Sequence, residues 1–267
     1  MNATTLAQVG ATGGAGTTRT AVELAALGAR DGRDVAVLDA AFTTQGLSEY
    51  VTGRIGTDLT TLVTDETGAS LSAATYPIPL EGGNAADAGG GADAPDLPGR
   101  ADAIPARAPF ERVARAKTAE AAKKLERRID EAATSYDAVI VDAAPVGSNE
   151  AVAGVTAADR TAAVFPATTH GRDALQRLRG RIADVGAGLD RSIAVAPNAD
   201  REVLEGENDG GADVRLPSTD PAIATAPTAA TGDGAYKRAV AAAFEDAFDA
   251  TVELEFEEPG LVDRLTP

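Results

Sequence analysis

Several residue types are missing or rare in this chain of 267 residues, and each absence excludes a class of site. Cysteine is absent, which excludes disulfides, thiolate nucleophiles and cysteine-ligated metals. His170 is the single histidine, so a metal site built from several histidines of one chain is excluded as well. No apolar run approaches 18 residues, and no basic start precedes an apolar stretch at the N-terminus. These absences predict a soluble, cytoplasmic protein without a membrane span.

Positive charge is also scarce. The chain has 24 lysines and arginines against 41 aspartates and glutamates, so its net charge is −17. Such a charge repels phosphate backbones and anionic lipids, and neither non-specific DNA binding nor membrane binding is expected. Only four of the basic residues are lysines. Few lysines combined with many aspartates resemble the composition of salt-accumulating, particularly haloarchaeal, proteins; an acidic protein from a GC-rich genome is the alternative.

The first 40 residues follow the pattern of a strand, a glycine-rich turn, a helix and a second strand. Residues 4–9 are β-branched or apolar except for Gln8, residues 10–16 hold the glycines, and residues 17–30 carry apolar side chains at helical spacing. The apolar run at 35–38 ends in Asp39. This order predicts a βαβ unit.

Strands and helices alternate through the rest of the chain. Further strands are predicted at 138–141, 161–165, 193–196 and 214–216, and helices at 111–134, 172–185 and 235–250. The alternation predicts one α/β domain over residues 1–267, with a mainly parallel sheet flanked by helices.

Two segments stand outside this alternation. Residues 82–100 are rich in Gly, Ala, Asp and Pro, and they are predicted to form a solvated, low-complexity insertion. Residues 251–258 alternate apolar residues with glutamates, which predicts an edge strand or a segment that docks on a partner. The acidity of this end argues against a membrane-binding amphipathic helix there.

The glycine-rich loop is the natural place for an anion, because backbone N–H groups of such a turn and of a helix start converge there. A Walker A loop requires the pattern G-x-x-x-x-G-K-[ST]. Gly16 and Thr18 stand at their required places, whereas Ala11 replaces the first glycine and Thr17 the lysine. Taken alone, the loop is a weak signal for a phosphate site, and a tight structural turn that binds nothing is the alternative.

Five ordered segments resemble the ParA/MinD family of P-loop proteins. They are the loop 13–18 with its helix and the strand ending at Asp39, a Walker B-like segment at 136–145, the Ala-Asp segment at 157–160, the strand end at 195–198, and the Leu-Pro-Ser-Thr-Asp-Pro segment at 216–221. The resemblance covers nearly the whole chain except about 77–110. It implies a three-layer P-loop NTPase-like α/β fold.

The resemblance also implies a ligand set. ATP and Mg²⁺ are the implied cofactors, held weakly or not at all, and self-association or a protein partner is expected. The implied nucleotide-binding residues are Gly13, Gly14, Ala15, Gly16, Thr17, Thr18, Asn198 and Asp220, and the implied metal-binding residues are Thr18, Asp39 and Asp142.

Three departures from the family pattern bear on activity. The P-loop lysine falls on Thr17, the signature lysine that reaches across a dimer falls on Thr12, and the second switch aspartate falls on Ala41. Arg19 is the nearest cation, but it lies two residues or about 200° further around the helix, and it is expected to face away from the phosphates.

These departures predict that no residue is catalytic and that the chain is a non-hydrolysing regulator or scaffold in cell division, partitioning or positioning. Two alternatives stay open: an active ATPase of the same family with an atypical loop, and a nucleotide-dependent metabolic enzyme on the same fold. His170 is expected to be a surface or capping residue.

Overall fold

A computed structural model of the chain describes residues 3–65, 68–80, 97–196, 211–220 and 222–256. The strands in these ranges are β1 Thr4–Gly10, β2 Asp34–Asp39, β3 Tyr76–Pro77, β4 Arg100–Ile104, β5 Ala138–Ala143, β6 Arg160–Pro166, β7 Arg191–Val195 and β8 Val214–Leu216. They form one sheet in the order β3-β4-β2-β5-β1-β6-β7-β8. Neighbouring strands are parallel except for the β3–β4 pair. The predicted, mainly parallel sheet is confirmed.

Helices cover both faces of the sheet. They are α1 Thr17–Arg30, α2 Leu59–Thr64, α3 Phe110–Ala116, α4 Ala119–Ala133, α5 Asn149–Ala157, α6 Thr169–Asp184 and α7 Ala235–Phe248, with 3₁₀ turns at Gly46–Tyr50, Leu71–Ala74 and Ile223–Thr225. One face packs against α1 and α7. The other face packs against α2 to α6. The result is the predicted three-layer α/β arrangement.

The apolar runs in the sequence reflect burial on both faces. Val37 packs in the core beneath α1 and α7, whereas the next residue, Leu38, packs in the opposite core with α4. Consecutive side chains of a strand point to opposite faces, so a strand covered on both sides needs apolar residues at every position. The apolar stretches of β2 and β5 therefore end only where Asp39 and Asp142 reach the edge of the sheet.

The single helix predicted over 111–134 is wrong. The structure divides this region into α3 and α4, which are separated by Lys117 and Thr118. The Thr118 hydroxyl accepts a hydrogen bond from the Ala121 backbone N–H at 3.3 Å and so starts a new helix. Apolar spacing continues through the break, which is why periodicity alone did not reveal it.

The region around the predicted insertion contains two strands that the sequence analysis did not identify, β3 and β4. Residues 81–96 lie outside the described residues. Leu97 packs against the core beneath α1, and Arg100 begins β4. The alanine- and aspartate-rich composition of β4 resembles that of the preceding stretch, so composition did not distinguish the buried strand from its surroundings.

The edge strand predicted at 251–258 is wrong for its described part. Residues 251–256 form no strand, and Val252, Leu254 and Phe256 pack against the core beneath α1 and α7. Residues 257 and 258 lie outside the described residues. The three apolar side chains between residues 252 and 256 therefore cover the chain's own core. Among the helices of the described ranges, none has the length and hydrophobicity to span a bilayer.

Candidate functional site

The loop between β1 and α1 curls around a cavity of about 400 Å³. Gly14 and Gly16 have φ angles of 72° and 84°, in the left-handed region that favours glycine. The Gly16 carbonyl accepts the Thr20 N–H at 2.9 Å, which fixes the first turn of α1 beside the cavity. The cavity is lined by Gly10, Thr12, Gly13, Gly14, Ala15, Gly16, Thr17, Thr18, Arg19, Ala41, Thr44, Gly46, Tyr50, Asp142, Ala143, Ala144 and Pro145.

Thr17 occupies the position where a Walker A loop carries its lysine. Its backbone carbonyl accepts a hydrogen bond from the buried Gln8 amide at 2.5 Å. Its hydroxyl lies so close to the end of β1 that a Cβ on Gly10 would be 2.6 Å from it. Thr17 therefore packs against the strand end and brings no charge to the cavity.

Two buried carboxylates lie side by side at the carboxyl end of the sheet. Asp39 and Asp142 are paired residues on the neighbouring strands β2 and β5, and their exposed fractions are 0% and 1%. Thr18 donates its hydroxyl to Asp142 Oδ2 at 2.6 Å. Asp39 accepts the backbone N–H groups of Ala41 at 3.0 Å and Leu47 at 3.2 Å. The structure thus brings together the three residues predicted to hold a metal.

Burial sets the protonation of this pair. It raises the pKa of Asp142 from 3.8 to about 6, and the hydrogen bond from Thr18 opposes the shift. Burial raises the pKa of Asp39 well above its usual value, and the charge of Asp142 raises it further. Two neighbouring buried carboxylates favour a proton or a cation that offsets their charge. Across the described ranges there is no group of three or more acidic or histidine side chains suited to a metal.

Arg19 is among the residues that line the cavity, but the hydrogen bonds of its side chain lead away from the glycine loop. Its Nε donates to Glu23 Oε1 at 2.7 Å, and its Nη1 donates to the carbonyl oxygens of Asp220 at 3.2 Å and Ala222 at 3.3 Å. Two of these three acceptors belong to a distant segment of the chain.

Glu23 is the functional-site neighbour that the sequence analysis missed. It is fully buried on α1 and accepts the backbone N–H groups of Thr228 at 2.9 Å and Ala229 at 2.8 Å, besides the Arg19 guanidinium. One carboxylate therefore attaches residues 228–229 to the helix that follows the loop. A charged residue between Val22 and Leu24, on the apolar side of α1, was the available signal.

The remaining predicted residues are only partly assembled. Asp220 is exposed, and its carboxylate accepts the Ala222 N–H at 2.9 Å while its carbonyl receives Arg19. Asn198 lies outside the described residues. His170 is exposed in the first turn of α6 and does not line the cavity, in keeping with its expected surface role.

Comparisons with known proteins identify the fold. No family model matches the sequence, and no curated protein matches it by sequence. The cell division ATPase MinD of Pyrococcus furiosus superimposes with a TM-score of 0.70 at 16% identity, over 91% of this chain and 97% of that one.

Two further solved structures agree. MinD of Pyrococcus horikoshii, complexed with Mg-ADP, gives a TM-score of 0.61 at 17% identity, over 80% of this chain and 81% of that one. A ParA family ATPase of Chlorobium tepidum gives 0.62 at 19% identity, over 82% and 87%. The chain therefore has the three-layer α/β fold of the ParA and MinD ATPases.

Proposed function

We propose that this chain is a ParA/MinD-like regulator or scaffold in cell division, partitioning or positioning, which holds a nucleotide without hydrolysing it. One observation carries the proposal. The loop keeps the glycine conformations and the Thr18–Asp142 contact of an anion and cation site, yet it presents threonine at positions 12 and 17. The fold supports it too, since the P. furiosus neighbour is a cell division ATPase.

The residues present fit a magnesium nucleotide in outline. Thr18 and Asp142 offer oxygen ligands of the kind Mg²⁺ prefers, with Asp39 behind them, while water and phosphate oxygens would complete the shell. Gly13, Gly14, Ala15, Gly16 and Thr17 would place backbone N–H groups around the phosphates. Bound Mg²⁺ would supply charge neutralisation for the phosphates and for the buried carboxylate pair. Asn198 and Asp220 stay proposed contacts of the base.

Hydrolysis of the nucleotide requires more of the site than binding does. Phosphoryl transfer depends on positioned positive charge and an oriented water. Ala41 lines the cavity where an aspartate would orient that water, and Thr12 and Thr17 carry no charge. A hydrogen bond to a charged group contributes about 1.5–3 kcal/mol, so the loss of two lysines costs about 3–6 kcal/mol of phosphate binding. The proposed role is therefore one of binding rather than turnover.

The proposed setting follows from the charge and the fold. We expect a cytoplasmic protein that self-associates or binds a protein partner and neither inserts in a membrane nor coats DNA. An active ATPase and a metabolic enzyme remain the alternatives, and both need the phosphate-binding charge that Thr17 lacks.

Restoring the lysine tests the proposal. Thr17→Lys should tighten Mg-ATP binding at least tenfold, because about 1.4 kcal/mol is the least that a charged phosphate contact contributes. The measurement is a calorimetric titration of both proteins in the same KCl concentration. Thr44→Lys is the matched control, since it adds the same charge at an exposed residue that also lines the cavity.

A gain below tenfold for Thr17→Lys, or an equal gain for Thr44→Lys, would contradict a phosphate loop at 13–18. The wild-type chain should release no phosphate from ATP above a buffer control. Robust release that disappears in Asp142→Ala would establish the active-ATPase alternative instead.

We also propose that the acidic surface is an adaptation to concentrated salt. A net charge of −17 repels itself, and raising KCl from 0.1 to 2 M shortens the Debye length from about 10 Å to below about 3 Å. The melting temperature should therefore rise by more than about 4 °C over this range, the shift that 1–2 kcal/mol produces in a domain of this size. An unchanged melting temperature would contradict the halophilic interpretation.

A further inference from the structure

A groove of about 450 Å³ lies beside α3 and is separate from the cavity of the glycine loop. Its apolar wall consists of Ala108, Phe110, Val113 and Ala114. Phe110 is 84% exposed, against 42% for Ile223, the other exposed large hydrophobic residue of the described ranges. An exposed aromatic ring beside an apolar groove is typical of a surface that binds another protein. We call this surface the Phe110 groove.

Hydrogen bonds hold the shape of the groove without a ligand. The Gln45 side chain binds the Ala108 backbone twice: its Oε1 accepts the N–H at 2.8 Å, and its Nε2 donates to the carbonyl oxygen at 3.0 Å. Lys117 Nζ donates to the Thr43 hydroxyl at 3.0 Å and lies 3.4 Å from Glu150 Oε1. The loop after β2 is thus fixed to the residues on either side of α3. A preformed groove lowers the entropic cost of binding a partner.

The same loop also borders the candidate nucleotide site. Ala41, Thr44 and Gly46 line the cavity of the glycine loop, whereas Thr43 and Gln45 line the Phe110 groove. A partner in the groove and a ligand in the cavity would therefore contact two sides of one loop. This position suits the partner-binding surface of a regulator.

The chain is basic around the groove, although it is acidic as a whole. Residues 105–118 contain four basic residues and one acidic residue, a net charge of +3, whereas the whole chain carries −17. Arg107 directly precedes Ala108 of the groove wall and is exposed. Arg115 directly follows Ala114 of that wall, and its side chain is 60% exposed. Both charges therefore lie within about one Debye length of the groove, about 10 Å at 0.1 M salt.

The chain itself contains a segment with the complementary chemistry. Val252, Leu254 and Phe256 alternate with glutamates and pack against the core beneath α1 and α7. The Phe256 ring centre lies 5.3 Å from the guanidinium carbon of Arg30. An acidic and apolar segment thus already lies on a basic and apolar surface elsewhere in this fold.

We propose that the Phe110 groove binds an acidic segment of a protein partner, with an aromatic or large aliphatic side chain of that segment packed against Phe110. Val113 and Ala114 complete the apolar contact, and Arg107 and Arg115 attract the acidic residues. Two copies of the groove would repel each other by their positive charge, which disfavours a second copy docked through the same surface. The inference rests on the proposed function for the expectation of a partner, and it names the surface and the chemistry of that partner.

The test uses a fluorescein-labelled peptide with the sequence of residues 251–258, which carries four glutamates and three apolar residues. Fluorescence anisotropy follows its binding to the full chain without nucleotide, at the lowest KCl concentration at which the chain is folded. Wild type should bind the peptide saturably. Phe110→Ser should raise the dissociation constant about tenfold or more, because it removes a large apolar contact. Ile223→Ser is the matched control, and it should leave the constant within about twofold.

The charge is tested with a second pair of variants. Arg107→Ser/Arg115→Ser should raise the dissociation constant about threefold to tenfold and weaken its dependence on KCl. Arg177→Ser/Arg179→Ser is the control, because both arginines are exposed on α6 and neither lines the groove. A peptide with glutamine in place of each glutamate should bind wild type about as weakly as the acidic peptide binds Arg107→Ser/Arg115→Ser.

The expected losses of binding are separable from losses of folding. Phe110 is exposed in the free protein, so Phe110→Ser should leave the melting temperature within about 2 °C of wild type. No saturable binding at millimolar peptide, or binding that Phe110→Ser leaves unchanged, would overturn the inference. Self-association of wild type that Phe110→Ser abolishes in sedimentation would show a second copy in the groove and overturn it as well. Because these measurements contain no nucleotide, their failure is distinct from a failure of the chain to bind Mg-ATP, which would contradict the proposed function.

Discussion

Asp142→Asn should make the nucleotide-free protein more stable at pH 7, by about 1–3 kcal/mol in unfolding free energy. The folded protein holds two buried carboxylates side by side, and burial raises the pKa of Asp142 to about 6. At pH 7 the chain must keep that group ionised in a site that favours its neutral form. Asparagine removes the charge but retains an oxygen for the Thr18 hydroxyl.

The pH dependence follows from the same shift. Because the folded pKa lies above the usual 3.8, the Asp142 carboxyl favours the folded state fully below about pH 4. It loses that contribution as the pH rises through about 6. The stability difference between Asp142→Asn and wild type should therefore be near zero at pH 4 and full above pH 6. Denaturant unfolding of both proteins from pH 4 to 8, without Mg²⁺, measures it.

The same substitution should have the opposite effect on ligand binding. Asp142 is one of two carboxylates proposed to hold Mg²⁺, so Asp142→Asn should abolish the Mg²⁺-dependent part of nucleotide affinity. Asp130→Asn is the control. Asp130 is exposed on α4, and its substitution removes the same charge as Asp142→Asn does. Equal pH profiles for Asp142→Asn and wild type would contradict the carboxylate pair.

Glu23→Ala should lower the unfolding free energy by about 3–5 kcal/mol, the cost of breaking a buried ion pair by removing one partner. Glu23 is fully buried, and its loss leaves Arg19 Nε and the N–H groups of Thr228 and Ala229 without their acceptor. Proteolysis should then begin in residues 222–230, since they lose their attachment to α1. Thermal and denaturant unfolding measure the first effect and limited proteolysis the second.

A pair of the same spacing in α4 provides the control for this prediction. Glu120 and Lys124 also lie four residues apart, at 3.8 Å, but the Glu120 side chain is 81% exposed. Glu120→Ala should change stability by less than about 0.5 kcal/mol. A loss in Glu23→Ala no larger than that would show that Glu23 does not hold the 222–230 segment.

The loop and the carboxylates were predictable because their signals are local. An apolar run that ends in aspartate places Asp39 and Asp142 at the same edge of a parallel sheet, and left-handed turns require glycine at 14 and 16. The family resemblance then assigned them a ligand. Nothing in this inference needed contacts between distant parts of the chain.

The Arg19 and Glu23 contacts were not predictable in this way. Apart from the local pair that they form with each other, their acceptors and donors lie more than 200 positions further along the chain, in residues 220–229, and no periodicity connects them with α1. Likewise, α4 begins at a capping threonine and β4 shares the composition of its neighbours, so apolar spacing alone could not locate either boundary.

A titration of the wild-type chain with Mg-ATP, at fixed KCl and with phosphate release followed in the same sample, tests the central claim most directly. The account predicts saturable binding that requires Mg²⁺ and no release of phosphate above a buffer control. Absence of saturable binding at millimolar nucleotide, or steady phosphate release that stops in Asp142→Asn, would contradict it.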